Sequence, residues 1–100
     1  MRMNETITNA MIIDGKDTVA VAIEPVEAGS SITWKDKAGQ IRQITAVTAV
    51  PIYHKVAIQD MAKGEPVVKY GEHIGLAAVP VCAGEHVHIH NVENHREVLY

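Results

Sequence analysis

Apolar and polar residues alternate along this chain in short runs, most of them too brief for a helix. A strand sends successive side chains to opposite faces, so a period of two marks a strand with one buried face. Ala10 to Ile13 is a short apolar run ended by the turn dipeptide Asp14-Gly15. The β-branched run Thr18-Val19-Ala20-Val21-Ala22-Ile23 follows, and Asp14–Asp17 between the two suits a four-residue hairpin loop. Ser31-Ile32-Thr33-Trp34 and Ile41-Arg42-Gln43-Ile44-Thr45-Ala46-Val47 predict a second hairpin, its longer loop made by the polar stretch Lys35–Gln40. Pro51 stops any preceding strand from continuing as a central one. In Val67–Gly75, two glycines four apart flank an acidic residue and a histidine, which predicts a tight hairpin with Gly71 and Gly75 as turn residues. Helix is limited to one turn at most, around Gln59–Lys63. The pattern predicts a small all-β domain.

An internal echo runs through it. Val21–Ile32, Val56–Val67 and Leu76–Val87 each hold an apolar strand end, a connecting segment with one apolar anchor (Val26, Met61, Val81), then a glycine and a return to apolar residues. The glycines, Gly29, Gly64 and Gly84, fall at the same offset, which predicts a positive φ at each. The copies start 35 and then 20 residues apart, too unequal for a solenoid. One strand–turn–strand device is used three times.

The segment Gly84-Glu85-His86-Val87-His88-Ile89-His90-Asn91 carries the most chemistry. As a strand it points Val87 and Ile89 into a core and puts His86, His88 and His90 on the other face. Imidazoles two apart on a strand can converge on one metal ion, and they titrate near neutral pH. A solvated polar face is the simpler alternative.

Composition narrows the picture. The 100 residues make one domain: a flexible N-terminus over 1–10, the folded unit over 11–93 and a tail over 94–100. With no Phe, one Trp and three Tyr, the core has to be thin and aliphatic, and Trp34 is expected at its centre or rim. A net charge of −3 without a basic patch argues against nucleic acid. Neither an apolar leader nor a membrane span is visible, so a cytoplasmic protein is expected. The one cysteine, Cys82, excludes an internal disulfide and reads as a small buried hydrophobe.

Three linked fragments carry a family resemblance. They are Pro51-Ile52-Tyr53-His54-Lys55-Val56-Ala57, then Gly64–Gly75, then Ala83–Asn91. Their pattern, P-x-x-H-K-[VI]-A, G-x-x-V-x-[KE]-Y-G-x-x-I-G and G-x-x-V-H-x-H-N, resembles the SAF-type module of the altronate/galactarate dehydratases and the related sulfolactate sulfo-lyases. The resemblance runs from about Asp17 to Glu93. It implies a SAF-type β-clip fold with tight glycine turns. It also implies elimination of water from a sugar acid to give a 2-keto-3-deoxy acid, with a separate large catalytic subunit as partner.

The family pattern falls on His54, Lys55, Lys69, Tyr70, Gly71, Gly75, His88, His90 and Asn91, while His73 and His86 sit at variable positions. The resemblance thus implies His88 and His90 as metal ligands or a proton-transfer pair, Lys55 or Lys69 as a clamp on the substrate carboxylate, and His54 as acid for the leaving hydroxyl. Tyr70 joins the catalytic candidates and Asn91 the substrate contacts. Glu65, Glu72 and Glu85 are expected to be solvated. A divalent metal, iron or manganese, would polarise the carboxylate and be held largely by the large subunit. Self-association stays open, as do two alternatives: a docking module without chemistry, and a sulfo-lyase subunit releasing sulfite.

Overall fold

The computed structural model describes residues 8–88 and 90–93. The expected burial of Ile89 and the tail over 94–100 lie outside the described residues, as does most of the expected N-terminal segment. Among the described residues there are nine strands and no helix. None of them forms a helix long and apolar enough to cross a membrane.

A four-stranded antiparallel sheet runs in the order β1 (Ala10–Met11), β2 (Val19–Ala22), β5 (Lys55–Ala57), β8 (His86–Val87). Its middle strands alternate between two cores. Ala20, Ala22 and Val56 pack with Val26, Ile32, Trp34, Ala46 and Val50 on one side. Val19 and Ala57 pack with Met61, Val67, Ala77, Val81 and Val87 on the other. Being covered on both faces is why Val19-Ala20-Val21-Ala22 carries no polar residue. The first core is closed by the hairpin β3 (Ser31–Lys35)–β4 (Ile41–Thr45), the second by the sheet β6 (Pro66–Lys69)–β7 (Glu72–Ala77)–β9 (Val92–Glu93). Trp34 lies in the first core at 6% exposure, as the sequence predicts.

The repeated device is real. Gly29, Gly64 and Gly84 have φ of 89°, 89° and 95°. Each donates its N–H to an alanine carbonyl of another segment: Ala46, Ala77 and Ala57 respectively. The anchors of the last two copies bridge each other, Met61 to Val81, and Val26 bridges Val50. Glu65 and Glu85 are not idle solvated groups, since their carboxylates accept the N–H of Ala62 and Cys82 and close the turns.

Several expectations need correcting. Asn9 and Ala10 belong to the fold, because Asn9 bonds Ser31 and Thr33 and Ala10 is buried. Cys82 is exposed, because it follows the inward anchor Val81 at an outward turn position. The β6–β7 hairpin turns at Tyr70-Gly71, with φ of 55° and 79°, and Lys69 pairs with Glu72 across it. Gly75 is a strand residue instead: a Cβ there would sit 2.4 Å from the Glu93 carbonyl oxygen, so its job is to let β9 approach. The strand through His86 stops at Val87, and beyond it the Asn91 N–H bonds the His88 carbonyl.

Candidate functional site

β5 emerges from the turn Pro51–His54, in which the His54 N–H bonds the Pro51 carbonyl and Tyr53 takes a φ of 69°. It pairs with β8 so that Val56 faces His86 and Lys55 faces Val87. Opposed residues of an antiparallel pair share a face, so His86 lies on the Val56 side. His54, two residues before Val56, falls on that same side.

Three imidazoles meet there. His54 Nδ1 is 2.8 Å from His86 Nε2, a hydrogen bond in which one ring donates and the other accepts. The His88 ring stacks on His54 with centroids 4.6 Å apart and on His86 at 5.6 Å. One nitrogen from each of His54, His86 and His88 lies within 4.8 Å of the others. His90 is set against His86 with centroids 5.4 Å apart and stands outside that triad. The expected pair of His88 and His90 on one strand face is therefore replaced by a set built across two strands.

Backbone contacts hold the set. The His86 N–H donates to Thr48 Oγ1. Asn91, expected to touch substrate, is 3% exposed and uses its side chain otherwise: Nδ2 donates to the His86 carbonyl and Oδ1 accepts the His88 N–H. It is a brace.

Lys55 borders this cluster. Lys55 is the immediate neighbour of His54 and leaves the strand on the opposite side, where β6 ends at Lys69. Burial and then the Lys69 charge push the Lys55 pKa below its ordinary value. The His86 pKa is lowered by burial, then by His54, His90, His88 and Lys55. Burial, then His54, Lys55 and His90, lower that of His88. Every charged neighbour behind these shifts is a base. Neutral His86 and His88 rings are thus favoured at neutral pH.

One nitrogen from each of His54, His86 and His88 could be offered to a divalent ion. The 2.8 Å spacing of the His54 and His86 nitrogens is close to the roughly 3.0 Å between neighbouring ligands of a six-coordinate ion with bonds of about 2.1 Å. Nitrogen donors suit iron or zinc better than manganese, which prefers oxygen.

Tyr70 sits at the tip of the β6–β7 turn, with the Lys69 ammonium 5.3 Å from its ring centroid. Its neighbour Gly71 donates its N–H to the buried Asp17 carboxylate, which ties this hairpin to the β1–β2 loop. A groove of about 590 Å³ beside Trp34, Asp36, Lys37 and Arg42 includes none of the imidazoles. The structure therefore brings His54, His86 and His88 together, with His90 against His86 and Lys55 on the other side of β5. Sequence reasoning discounted His86; its place two residues before His88 on a strand was the signal that could have kept it.

Known proteins resemble this chain over most of its length. Residues 8–95 match the SAF domain of altronate/galactarate dehydratase. The (2R)-sulfolactate sulfo-lyase subunit alpha of Chromohalobacter salexigens is 41% identical over 88 residues, which cover 86% of this chain and 94% of that protein. The corresponding subunit of Paracoccus pantotrophus is 41% identical over 54 residues, 54% of this chain and 81% of its own. Altronate dehydratase of Escherichia coli is 39% identical over 79% of this chain but only 15% of its own length. The chain belongs to the altronate/galactarate dehydratase SAF domain family.

Proposed function

We propose that this chain is the small subunit of a cytoplasmic lyase that works with a larger catalytic subunit on a 2-hydroxy acid. The reaction removes the C2 proton and a leaving group at C3, forms the C2–C3 double bond, and yields the 2-keto acid after the enol tautomerises. The leaving group is water for a sugar acid of the altronate type and sulfite for sulfolactate. The observation that carries the reading is the hydrogen-bonded, base-surrounded cluster of His54, His86 and His88 at one sheet end. Two likenesses support it. A free-standing lyase subunit matches over 94% of its length, and a dehydratase matches over only 15%, so that the bulk of that enzyme lies elsewhere.

In this reading a neutral His86 or His88 accepts the C2 proton, and His54, hydrogen-bonded to His86, returns one to a departing hydroxyl. Lys55 and Lys69 hold the substrate carboxylate as point charges. A second reading of the same cluster is favoured by the nitrogen spacing: His54, His86 and His88 hold a divalent ion, iron by preference. Such an ion would supply Lewis-acid polarisation of the carboxylate.

The test is turnover of the complex copurified with its large subunit. His86→Ala and His88→Ala should each lower it by at least about 10²-fold, the low end for losing an acid–base group. The chain alone should be inactive. Near wild-type turnover in both variants would make this a docking module. Cobalt(II) titration of the chain separates the two cluster readings: a visible absorption band lost in His54→Ala, His86→Ala and His88→Ala supports the metal.

A further inference from the structure

Beyond the end of β2 the chain runs on beside the segment that leads into β5, and the two make a ribbon over residues 22–26 and 50–54. At one end the Tyr53 N–H bonds the Ala22 carbonyl and the Ala22 N–H bonds the His54 carbonyl. At the other, Val26 and Val50 exchange both backbone bonds. Val26 and Val50 are buried, but Ile23, Pro25, Pro51, Ile52 and Tyr53 are exposed. Apolar side chains gathered in one exposed place mark an interaction surface. Tyr53 is the clearest sign: it has a φ of 69° and is 73% exposed. Glycine or asparagine adopts that conformation more readily, and a ring mostly in water gives the fold little in return. Strain that the fold does not use points to function, and tyrosine is a frequent anchor of protein interfaces. The two prolines and the Val26–Val50 bridge stiffen the ribbon, so little ordering is left to do on binding. The segment also reaches the imidazoles, since the Val47 N–H bonds the Gly84 carbonyl and Thr48 Oγ1 accepts the His86 N–H.

We infer that this ribbon docks the larger lyase subunit, with Tyr53 as its anchor and Ile23 and Ile52 beside it; this rests on the lyase reading for the partner and adds where that partner sits. Charge favours this occupant over a second copy. Along the ribbon Glu24 is the one acid, and His54, His86 and His88 gather at its end. A partner with an acidic rim is complemented there, whereas two copies docked face to face would set base against base. Size favours it too. In the Escherichia coli altronate dehydratase the matched stretch is 15% of the chain, which leaves a much larger body for such a face to meet. Docking here brings that body up to the imidazole cluster.

The experiment is a calorimetric titration, without substrate, of the full chain into the large subunit separated from the copurified complex. Two variants probe the ribbon, each checked for an unchanged fold by circular dichroism: Tyr53→Gly, which relieves the φ of the turn, and the double variant Ile23→Asp with Ile52→Asp, which leaves the tyrosine in place. Each should weaken binding by about tenfold or more. Ile41→Asp and Val79→Asp, at exposed apolar positions outside the ribbon, should change it by less than about twofold. Wild-type affinity in both ribbon variants overturns the inference. So does a dimer of the chain alone, seen by sedimentation and dissolved by Tyr53→Gly, which would assign the face to a second copy. The lyase reading fails separately: if the complex forms through the ribbon but turns over no 2-hydroxy acid, the docking stands and the elimination does not. An active complex whose ribbon variants bind as wild type does the reverse. If no large subunit copurifies, both fall.

Discussion

Alanine substitution at the three repeated turn glycines should give two mild variants and one severe one. All three glycines have φ near +90°, so each alanine is strained by about 1–2 kcal/mol in the left-handed region. Restricting the unfolded chain returns roughly 0.4–1 kcal/mol. Around Gly29 and Gly64 an added Cβ meets nothing within 4 Å, so Gly29→Ala and Gly64→Ala should lose about 1 kcal/mol net. At Gly84 the same Cβ would lie 2.2 Å from the Thr45 carbonyl oxygen and 3.2 Å from Val47. Backbone has to move by about 1 Å, an overpacking cost of roughly 1–3 kcal/mol.

That movement strains the bonds from Gly84 N–H to the Ala57 carbonyl and from Val47 N–H to the Gly84 carbonyl, each worth about 1 kcal/mol. Gly84→Ala should therefore cost about 3–5 kcal/mol in all, much of the stability of a domain this size. Urea unfolding followed by Trp34 fluorescence measures it. If Gly84→Ala unfolds within about 0.5 kcal/mol of Gly64→Ala, the close approach of Thr45 to this turn is wrong. The same variant should broaden the His86 ring signals, because His86 lies two residues on.

Asp17→Asn should cost about 2–4 kcal/mol at pH 7, because the carboxylate accepts the N–H groups of Ile13, Asp14 and Gly71. Burial raises the Asp17 pKa but those bonds, with one from Tyr70, outweigh it and lower it, so the stabilisation is present above the unfolded value near 3.8 and is lost as pH falls through the lower folded value. Urea midpoints of wild type and variant should converge in strong acid, and a constant gap would refute the assignment. Tyr53→Gly relieves a φ of 69° and should leave the urea midpoint unchanged or higher; a lower midpoint would show that the tyrosine side chain outweighs the strain. Asn91→Ala unpairs the His86 carbonyl and the His88 N–H, for about 2–3 kcal/mol, and should disorder the ring signals of both histidines; unchanged ring shifts would show that the brace is dispensable.

What could be read from the sequence was what is local. The hairpins at 10–22 and 31–45 were legible because alternation and polar loops lie side by side in the chain, and the repeated glycines because φ preference belongs to one residue. The Tyr70-Gly71 turn was misplaced since tyrosine at a φ of 55° is not a usual turn signal. The strand over His86–His90 was drawn too long because Asn91 offers the backbone a competing turn, a side-chain bond that alternation does not register. The meeting of His54 with His86 depends on pairing 32 residues apart, and no periodicity reports which strands will be neighbours.

A site assembled from bases alone should burden the fold that carries it, and this gives the reasoning a prediction whose sign is opposite to that of most core changes. The Lys55 pKa is lowered by burial and by Lys69, which means that the folded state disfavours the charged form. Between the folded pKa and the unfolded value near 10.4, the folded chain binds fewer protons than the unfolded one, so stability rises with pH across that window and the cost is fully present at neutral pH. Lys55→Met keeps the stem and removes the charge. Because the group is half exposed and screened, the gain at pH 7 should be modest, about 0.5–1 kcal/mol, and should shrink as alkali neutralises the wild-type lysine. A Lys55→Met chain that is less stable than wild type at pH 7 would mean that the ammonium is already satisfied within the chain, and the reading of Lys55 as a charge the fold disfavours would be wrong.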